Sequence, residues 1–377
     1  MMSITGSTVV AENKAGVLLT YLPSVQSTLV EDPYGHCKPS VKKKRKRKTE
    51  RMLNKGELEL QKHHSQISEW LSSCHLSLSS LGTQNGYFPV TQPQLSSTPL
   101  ATVPEVDLVS LCNLDALTTA QEETSTYILK GDEDSVELFG HVISNKGSCD
   151  VTVSALGVRF TVPGQSSFLL SDVSKMHQLS TLPSQSFGLV VMDPPWENRS
   201  AIRGKKYSWL SNLQLIDLPV PGLLIEGAVV AVWVTNKRSI AQFVREILFP
   251  HWDIEYIAEW LWIKVTTKGE LVWPMDSAHK KPYESLLIGR LRSANESDSP
   301  SGPPTKIRRI ASGKLPPTQY SLMAVPSCIH SQKPYLGDVL DRYAPNGGGR
   351  LELFARNLLP GWTSWGNEVL KFQVQRT

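Results

Sequence analysis

The chain has 377 residues, 40% of them apolar, and a formal net charge of +4. That is enough for one large domain with tails, or for two domains, around a substantial core. No apolar run approaches the ~20 residues of a membrane-crossing helix. A secretory leader is not expected. The five cysteines are scattered without a C-x-x-C pair, which argues against a zinc ribbon or a disulfide framework and for a reducing compartment.

The net charge hides an asymmetry. Residues 38–51 hold nine Lys/Arg against one Glu, and the remaining 30 basic and 34 acidic residues sum to −4. The run Lys42-Lys43-Lys44-Arg45-Lys46-Arg47-Lys48 repels itself and is expected to stay extended. It reads as a nuclear-import signal with an import receptor as partner, as a nucleic-acid-binding arm, or as a plain solvated tail. Import implies a nuclear location and leaves cytosolic and mitochondrial pools open. Residues 52–71 predict a short helix with Leu53, Leu60, Ile67 and Leu71 on one side, weakened by Gly56. His63 and His64 are adjacent, so they make a poor metal pair and read as surface residues; no metal site is expected. Residues 72–104, rich in Ser, Thr, Pro and Gln, read as a linker, so 1–104 is expected to be largely disordered.

Residues 105–170 are expected to form a small accessory domain. Leu108, Leu111, Leu114 and Leu117 predict one or two helices within 105–130. Val151-Thr152-Val153 and Val158-Arg159-Phe160-Thr161-Val162 alternate as strands do. From 171 to the end, strand and helix patterns alternate. Strands are predicted at 187–192, 228–234, 285–289 and 350–355, and helices at about 237–249 and 334–343. This predicts a doubly wound, Rossmann-like α/β sheet. Residues 293–317 read as a flexible insertion, whose Lys306, Arg308, Arg309 and Lys314 suit nucleic acid or plain solvation equally well.

The chemistry concentrates at Asp193-Pro194-Pro195-Trp196, which follows the apolar run Phe187-Gly188-Leu189-Val190-Val191-Met192. The prolines stop the strand, because neither has an N–H for a ladder. A carboxylate, a rigid turn and an aromatic ring then stand at the carboxyl end of a strand, where open α/β sheets bind ligands. Methylation of an exocyclic amine needs this set. The amine is planar and weakly nucleophilic until acceptors hold its two N–H bonds. The Asp193 carboxylate and the Pro194 carbonyl provide two, and Trp196 offers a stacking surface. The basic stretch after it, with Asn198, Arg199, Arg203, Lys205, Lys206 and Tyr207, suits phosphate contacts and a second stacking ring. No Gly-rich dinucleotide loop precedes the motif, so a cofactor site must come from elsewhere. The strand ending at Arg356, with Gly366-Asn367-Glu368 and Lys333, is the candidate. Taken singly, these residues read as surface charge, a helix start and a turn.

Residues 171–377 resemble the MT-A70 family of adenine exocyclic-amine methyltransferases. The likeness runs through Asp193-Pro194-Pro195-Trp196, Trp233-Val234-Thr235, Trp260-Leu261-Trp262-Ile263-Lys264, Glu284, Ser331-Gln332-Lys333-Pro334, Glu352-Leu353-Phe354-Ala355-Arg356 and Gly366-Asn367. The resemblance implies S-adenosylmethionine as donor, adenine as acceptor and a permuted motif order. It implies that Asp193 and Pro194 bind the amine, that Trp196 and Tyr207 line the base pocket, and that Glu284 lies near the target nucleoside. Asp172 and Val173 would flank the cofactor adenine, Lys333 its carboxylate, and Arg356 and Asn367 its ribose. The chain departs from the family's mRNA-modifying members in carrying Asn357-Leu358-Leu359 after the Arg and Glu368 after Asn367. The implied substrate is internal 2′-O-methyladenosine of spliceosomal small nuclear RNA, with DNA adenine as the alternative. A catalytically silent scaffold is the weaker alternative, since both the acid and the aromatic are intact. No protein partner is required by the sequence.

Overall fold

The computed structural model describes residues 8–20, 55–88, 107–116, 124–132, 135–196, 212–277, 280–293, 313–327 and 332–375. The basic run at 42–48 and most of the insertion at 293–317 lie outside them. The strands are β1 (Val9–Asn13), β2 (Gly16–Leu19), β3 (Ser125–Ile128), β4 (His141–Asn145), β5 (Val151–Ala155), β6 (Val158–Val162), β7 (Ser166–Leu170), β8 (Phe187–Met192), β9 (Leu224–Val234), β10 (Ile254–Lys264), β11 (Tyr283–Leu291), β12 (Gln319–Ala324), β13 (Gly349–Leu353) and β14 (Trp362–Gly366).

Two-residue alternation builds the centre. In β8, Leu189 and Val191 enter one apolar layer, and Val190 and Met192 enter the other. In β9, Val229, Ala231 and Trp233 alternate with Val230 and Val232 in the same way. Strands apolar on both sides must be covered on both sides. Helix α3 (Arg238–Phe243) runs through a π-helical turn (Val244–Leu248) and covers one face with Ile240, Phe243, Val244 and Leu248. Helix α4 (Gly337–Leu340) and the turn Asp341–Tyr343 cover the other with Val339, Leu340 and Tyr343.

Among the described residues the main sheet has twelve strands in the order β1-β2-β12-β10-β11-β9-β8-β13-β14-β7-β4-β3. β2, β7, β8, β9, β10, β12, β13 and β14 run one way, and β1, β3, β4 and β11 run the other. The mostly parallel sheet agrees with the predicted α/β class.

Three expectations are corrected. First, the strands within 125–170 do not stand apart from the sheet. β7 pairs in parallel with β14, and β4 and β3 follow outward. Among the described residues only β5 and β6 form a second, two-stranded sheet, and Phe160 bridges to Val374. An alternating pattern shows a strand but not its partner. The helix predicted within 105–130 is shorter, α2 (Leu108–Ala116), and is followed by β3.

Second, the first 104 residues contain packed structure. β2 pairs in parallel with β12, and α1 (Lys55–Gln84) runs well past residue 71. Leu71, Cys74 and Leu78 are fully buried against Leu261, Ile263 and Met323. Their helical spacing carries a core face through a Ser-rich composition. Third, His64 is buried, with Nδ1 3.3 Å from the Tyr283 hydroxyl and the two rings stacked. His63 Nε2 lies 3.9 Å from the Glu259 carboxylate. Burial lowers the pKa of both imidazoles, helped by Arg238 at His63 and Lys281 at His64.

Because Leu71 is completely buried between α1 and the sheet, Leu71→Ala is expected to cost about 2–5 kcal/mol in denaturant unfolding. A loss under about 0.5 kcal/mol would mean that α1 is not docked.

Candidate active site

The parallel strands deliver their following residues to one edge. β7 leads to Asp172, β8 to Asp193, β13 to Arg356, and β14 to Asn367 and Glu368. β10 ends there with Lys264, and antiparallel β11 begins there, with Glu284 opposite Trp262.

The Asp193 turn is tight. The Trp196 amide donates to the Pro194 carbonyl at 2.8 Å, which leaves that oxygen one further lone pair. Trp196 itself turns inward, contrary to the stacking role expected for it. Its indole Nε1–H donates to the Trp233 carbonyl at 2.8 Å, and its ring meets Phe243 edge-on at 6.5 Å. A buried indole needs an acceptor for its N–H, and the end of β9 supplies one. Trp196 therefore bolts the turn to the core and lines neither cavity described below.

Alternating charges cross the edge. Lys264 pairs with Glu284 through a short contact, and Lys333 Nζ lies 2.8 Å from the same carboxylate. Lys333 is also 3.4 Å from Asp193 Oδ2, and Arg356 Nη1 donates to that oxygen at 3.3 Å. Arg356 Nε then donates to Glu368 at 3.1 Å, and Lys371 closes the row on Glu368. Both cations meet Asp193 at Oδ2, so Oδ1 carries none of these bonds. Burial alone would raise the pKa of Glu284, but Lys333 and Lys264 hold it down at about 2. Burial would lower Lys333, but Asp193 and Glu284 raise it. Lys264 and Lys333 also lie over the Trp262 and Trp233 rings, at 4.6 and 5.5 Å.

Two cavities adjoin this row. One is lined by Asp193, Lys333, Gln332, Glu352, Arg356 and the Trp233 and Trp362 rings. The other is lined by Asp172, Val173, Pro195, Arg356, Asn367 and Glu368. Phe354 and Arg356 line both. Phe354 has φ +60, rare for a residue with a side chain, and packs edge-on against Trp365 at 5.2 Å. A Cβ on Gly366 would come within 2.9 Å of the Ala355 carbonyl, so only glycine lets the ends of β13 and β14 approach this closely. Asp172 accepts from the Ser174 amide at 2.9 Å and from Asn367 Nδ2 at 3.5 Å. Helix α2 backs this second cavity: Val109 lines it, and the Cys112 thiol donates to the Asn367 carbonyl at 3.6 Å.

Of the residues singled out in the sequence, Asp193, Lys333 and Arg356 meet in the first cavity. Asp172, Val173, Pro195, Asn367 and Glu368 meet in the second. Glu284 joins through Lys333. Arg199, Arg203, Lys205, Lys206 and Tyr207 lie outside the described residues. Sequence reasoning placed Glu352, Gln332 and Phe354 in motifs without giving them a role, and it missed Val109. Glu352 left a signal, a lone carboxylate in the apolar strand Leu351-Glu352-Leu353.

Residues 187–368 match the MT-A70 family model. The chain is 39% identical to "N(6)-adenine-specific methyltransferase METTL4" of Mus musculus over 357 residues, covering 92% of this chain and 73% of that protein. The chain belongs to the MT-A70 family. This MT-A70 chain is also 35% identical over 236 residues to "N6-methyladenosine RNA methyltransferase MTA1" of Pyricularia oryzae, covering 60% of this chain and 58% of that protein. It is 34% identical over 221 residues to "DNA N6-methyl methyltransferase" of Caenorhabditis elegans, covering 58% of this chain and 55% of that protein. The MT-A70 match begins with β8 and ends at Glu368. It thus takes in the charged row from Lys264 to Glu368 and leaves out Asp172, Val173 and α2.

Two outcomes are expected. Trp196→Ala should destabilise the fold by about 3–5 kcal/mol in denaturant unfolding; a stable variant with only a raised KM would return Trp196 to the substrate. Burial and the nearby Asp193 push the Glu352 carboxyl from 4.5 up to about 8, against Arg356. Between those values it takes up a proton on folding, so its stabilisation is full at low pH and is lost as pH rises to 8. The Tm of the wild type should fall relative to Glu352→Gln from pH 5 to 8 and level off above. A difference independent of pH would contradict a protonated Glu352.

Proposed function

We propose that the chain methylates the exocyclic amine of adenine in nucleic acid, with S-adenosylmethionine as donor. The observation that carries this reading is the placement of Asp193. It ends a central strand, keeps Oδ1 free of the Arg356 and Lys333 contacts, and faces a cavity that shares Phe354 and Arg356 with the cavity of Asp172 and Asn367. The residues fit such a donor. Asp172, Asn367 and Glu368 offer hydrogen-bonding groups for the hydroxyls and amine of an adenosine, and Lys333 offers a cation for a carboxylate. When bound, the donor supplies an electrophilic methyl group. The family likeness supports a permuted order, with the catalytic strand ahead of the cofactor strands in sequence.

In this reading the protein positions the acceptor. Asp193 Oδ1 and the second lone pair of the Pro194 carbonyl accept the two amine N–H bonds. The nitrogen becomes more tetrahedral and its lone pair turns toward the methyl group. Lys333 and Arg356 keep the Asp193 carboxylate in place. A base in a duplex must flip out to reach it. Arg199, Arg203, Lys205, Lys206 and Tyr207 are assigned to phosphate and base contacts, and Glu284 to the target nucleoside.

We infer RNA as the substrate, internal 2′-O-methyladenosine of small nuclear RNA in particular. The basic run at 42–48 supports nuclear import. DNA adenine is the second reading, favoured by the name of the Caenorhabditis elegans relative. One adenosine-containing sequence offered as RNA, as 2′-O-methylated RNA and as DNA decides between them. Methyl transfer is expected to be fastest to the 2′-O-methylated RNA, and faster transfer to DNA would overturn the RNA assignment. Asp193→Asn, which turns one acceptor oxygen into a donor, should lower kcat by at least about 10²-fold with the fold intact. Ordinary turnover by that variant would remove Asp193 from the chemistry.

A further inference from the structure

The cavity beside Asp193 contains two buried acceptors without donors. Glu352 Oε2 and Gln332 Oε1 are cut off from solvent, and neither has a hydrogen-bond partner among the described residues. Both residues line that cavity with Lys333 and Arg356. Buried acceptors are almost always satisfied, and the exceptions call for an explanation such as a ligand that brings the donor.

The charged row passes Glu352 by. Lys333 serves Glu284 and Asp193, and Arg356 serves Asp193 and Glu368. Neither donates to Glu352 Oε2. Glu352 sits on β13, between β8 and β14, where packing alone would favour another apolar residue. The site therefore holds a carboxyl that keeps its proton despite Arg356 nearby and whose Oε2 meets no donor, beside an amide oxygen that lacks one; a bound cation would displace that proton to solvent. An ammonium group has three N–H donors, a positive charge and no acceptor of its own, and so answers both needs.

We propose that Glu352 binds the α-ammonium of the methyl donor's amino-acid end, with Gln332 as a second acceptor and Lys333 holding the neighbouring carboxylate. This rests on the reading of S-adenosylmethionine as donor. It makes the amino-acid end, and not the adenosine alone, a determinant of donor affinity. Adenine's exocyclic amine is neutral and has two N–H bonds, and those are already assigned to Asp193 and Pro194.

The test is calorimetric binding of three ligands to the full chain: S-adenosylhomocysteine, its analogue lacking the amino group, and 5′-methylthioadenosine, which lacks the whole amino-acid end. The wild type should bind S-adenosylhomocysteine at least about tenfold more tightly than the des-amino analogue. Glu352→Gln should weaken S-adenosylhomocysteine about 10- to 100-fold. It should leave the other two ligands within about twofold. Lys333→Met should weaken S-adenosylhomocysteine and the des-amino analogue alike. Equal affinity of the wild type for the first two ligands, or unchanged binding of S-adenosylhomocysteine by Glu352→Gln, overturns the assignment of Glu352 and leaves the donor reading standing. Equal weakening of all three ligands by Glu352→Gln also overturns it. A wild type that binds none of the three overturns the donor reading itself.

Discussion

The site depends on one carboxylate held between two cations. Asp193 leaves the central strand β8 at a Pro-Pro stop, and Lys333 and Arg356 reach its Oδ2 from opposite sides of the strand order. Each cation is in turn fixed by a second carboxylate, Glu284 for Lys333 and Glu368 for Arg356. Groups this close to a low-dielectric interior are stable only when each charge has a partner. Paired charge therefore positions the residues that face the ligand. The same pairing fixes the orientation of the Asp193 carboxylate.

Backbone constraint supplies the second condition. The Pro-Pro turn, the left-handed Phe354 and the close approach at Gly366 are features of chain geometry, and all lie at the carboxyl edge of the sheet. Phe354 and Arg356 form the shared wall of two cavities. Helix α2 backs the second cavity through Val109 and Cys112, so a segment outside the matched family span helps to shape the site.

The centre of the fold was legible because its physics is local. β8 and β9 are uninterrupted apolar strands, and prolines end the first at a position that names the chemistry. The edges were not legible. Whether β4 and β7 join the main sheet depends on pairing β7 with β14, nearly 200 positions away. Helix α1 hides its buried stripe of Leu71, Cys74 and Leu78 among serines, so composition pointed to a linker. Trp196 could turn toward ligand or core, and the Trp233 carbonyl decides. Glu352 was visible as a charge in an apolar strand, but its lack of a partner is a property of the assembled site.

The most direct measurement is a structure of the chain bound to S-adenosylhomocysteine and an adenosine-containing RNA. The account predicts the target amine within hydrogen-bond distance of Asp193 Oδ1 and the Pro194 carbonyl, with the adenosine of S-adenosylhomocysteine beside Asp172 and Asn367. A target base seated away from Asp193, or S-adenosylhomocysteine outside the two cavities that Phe354 separates, would contradict it.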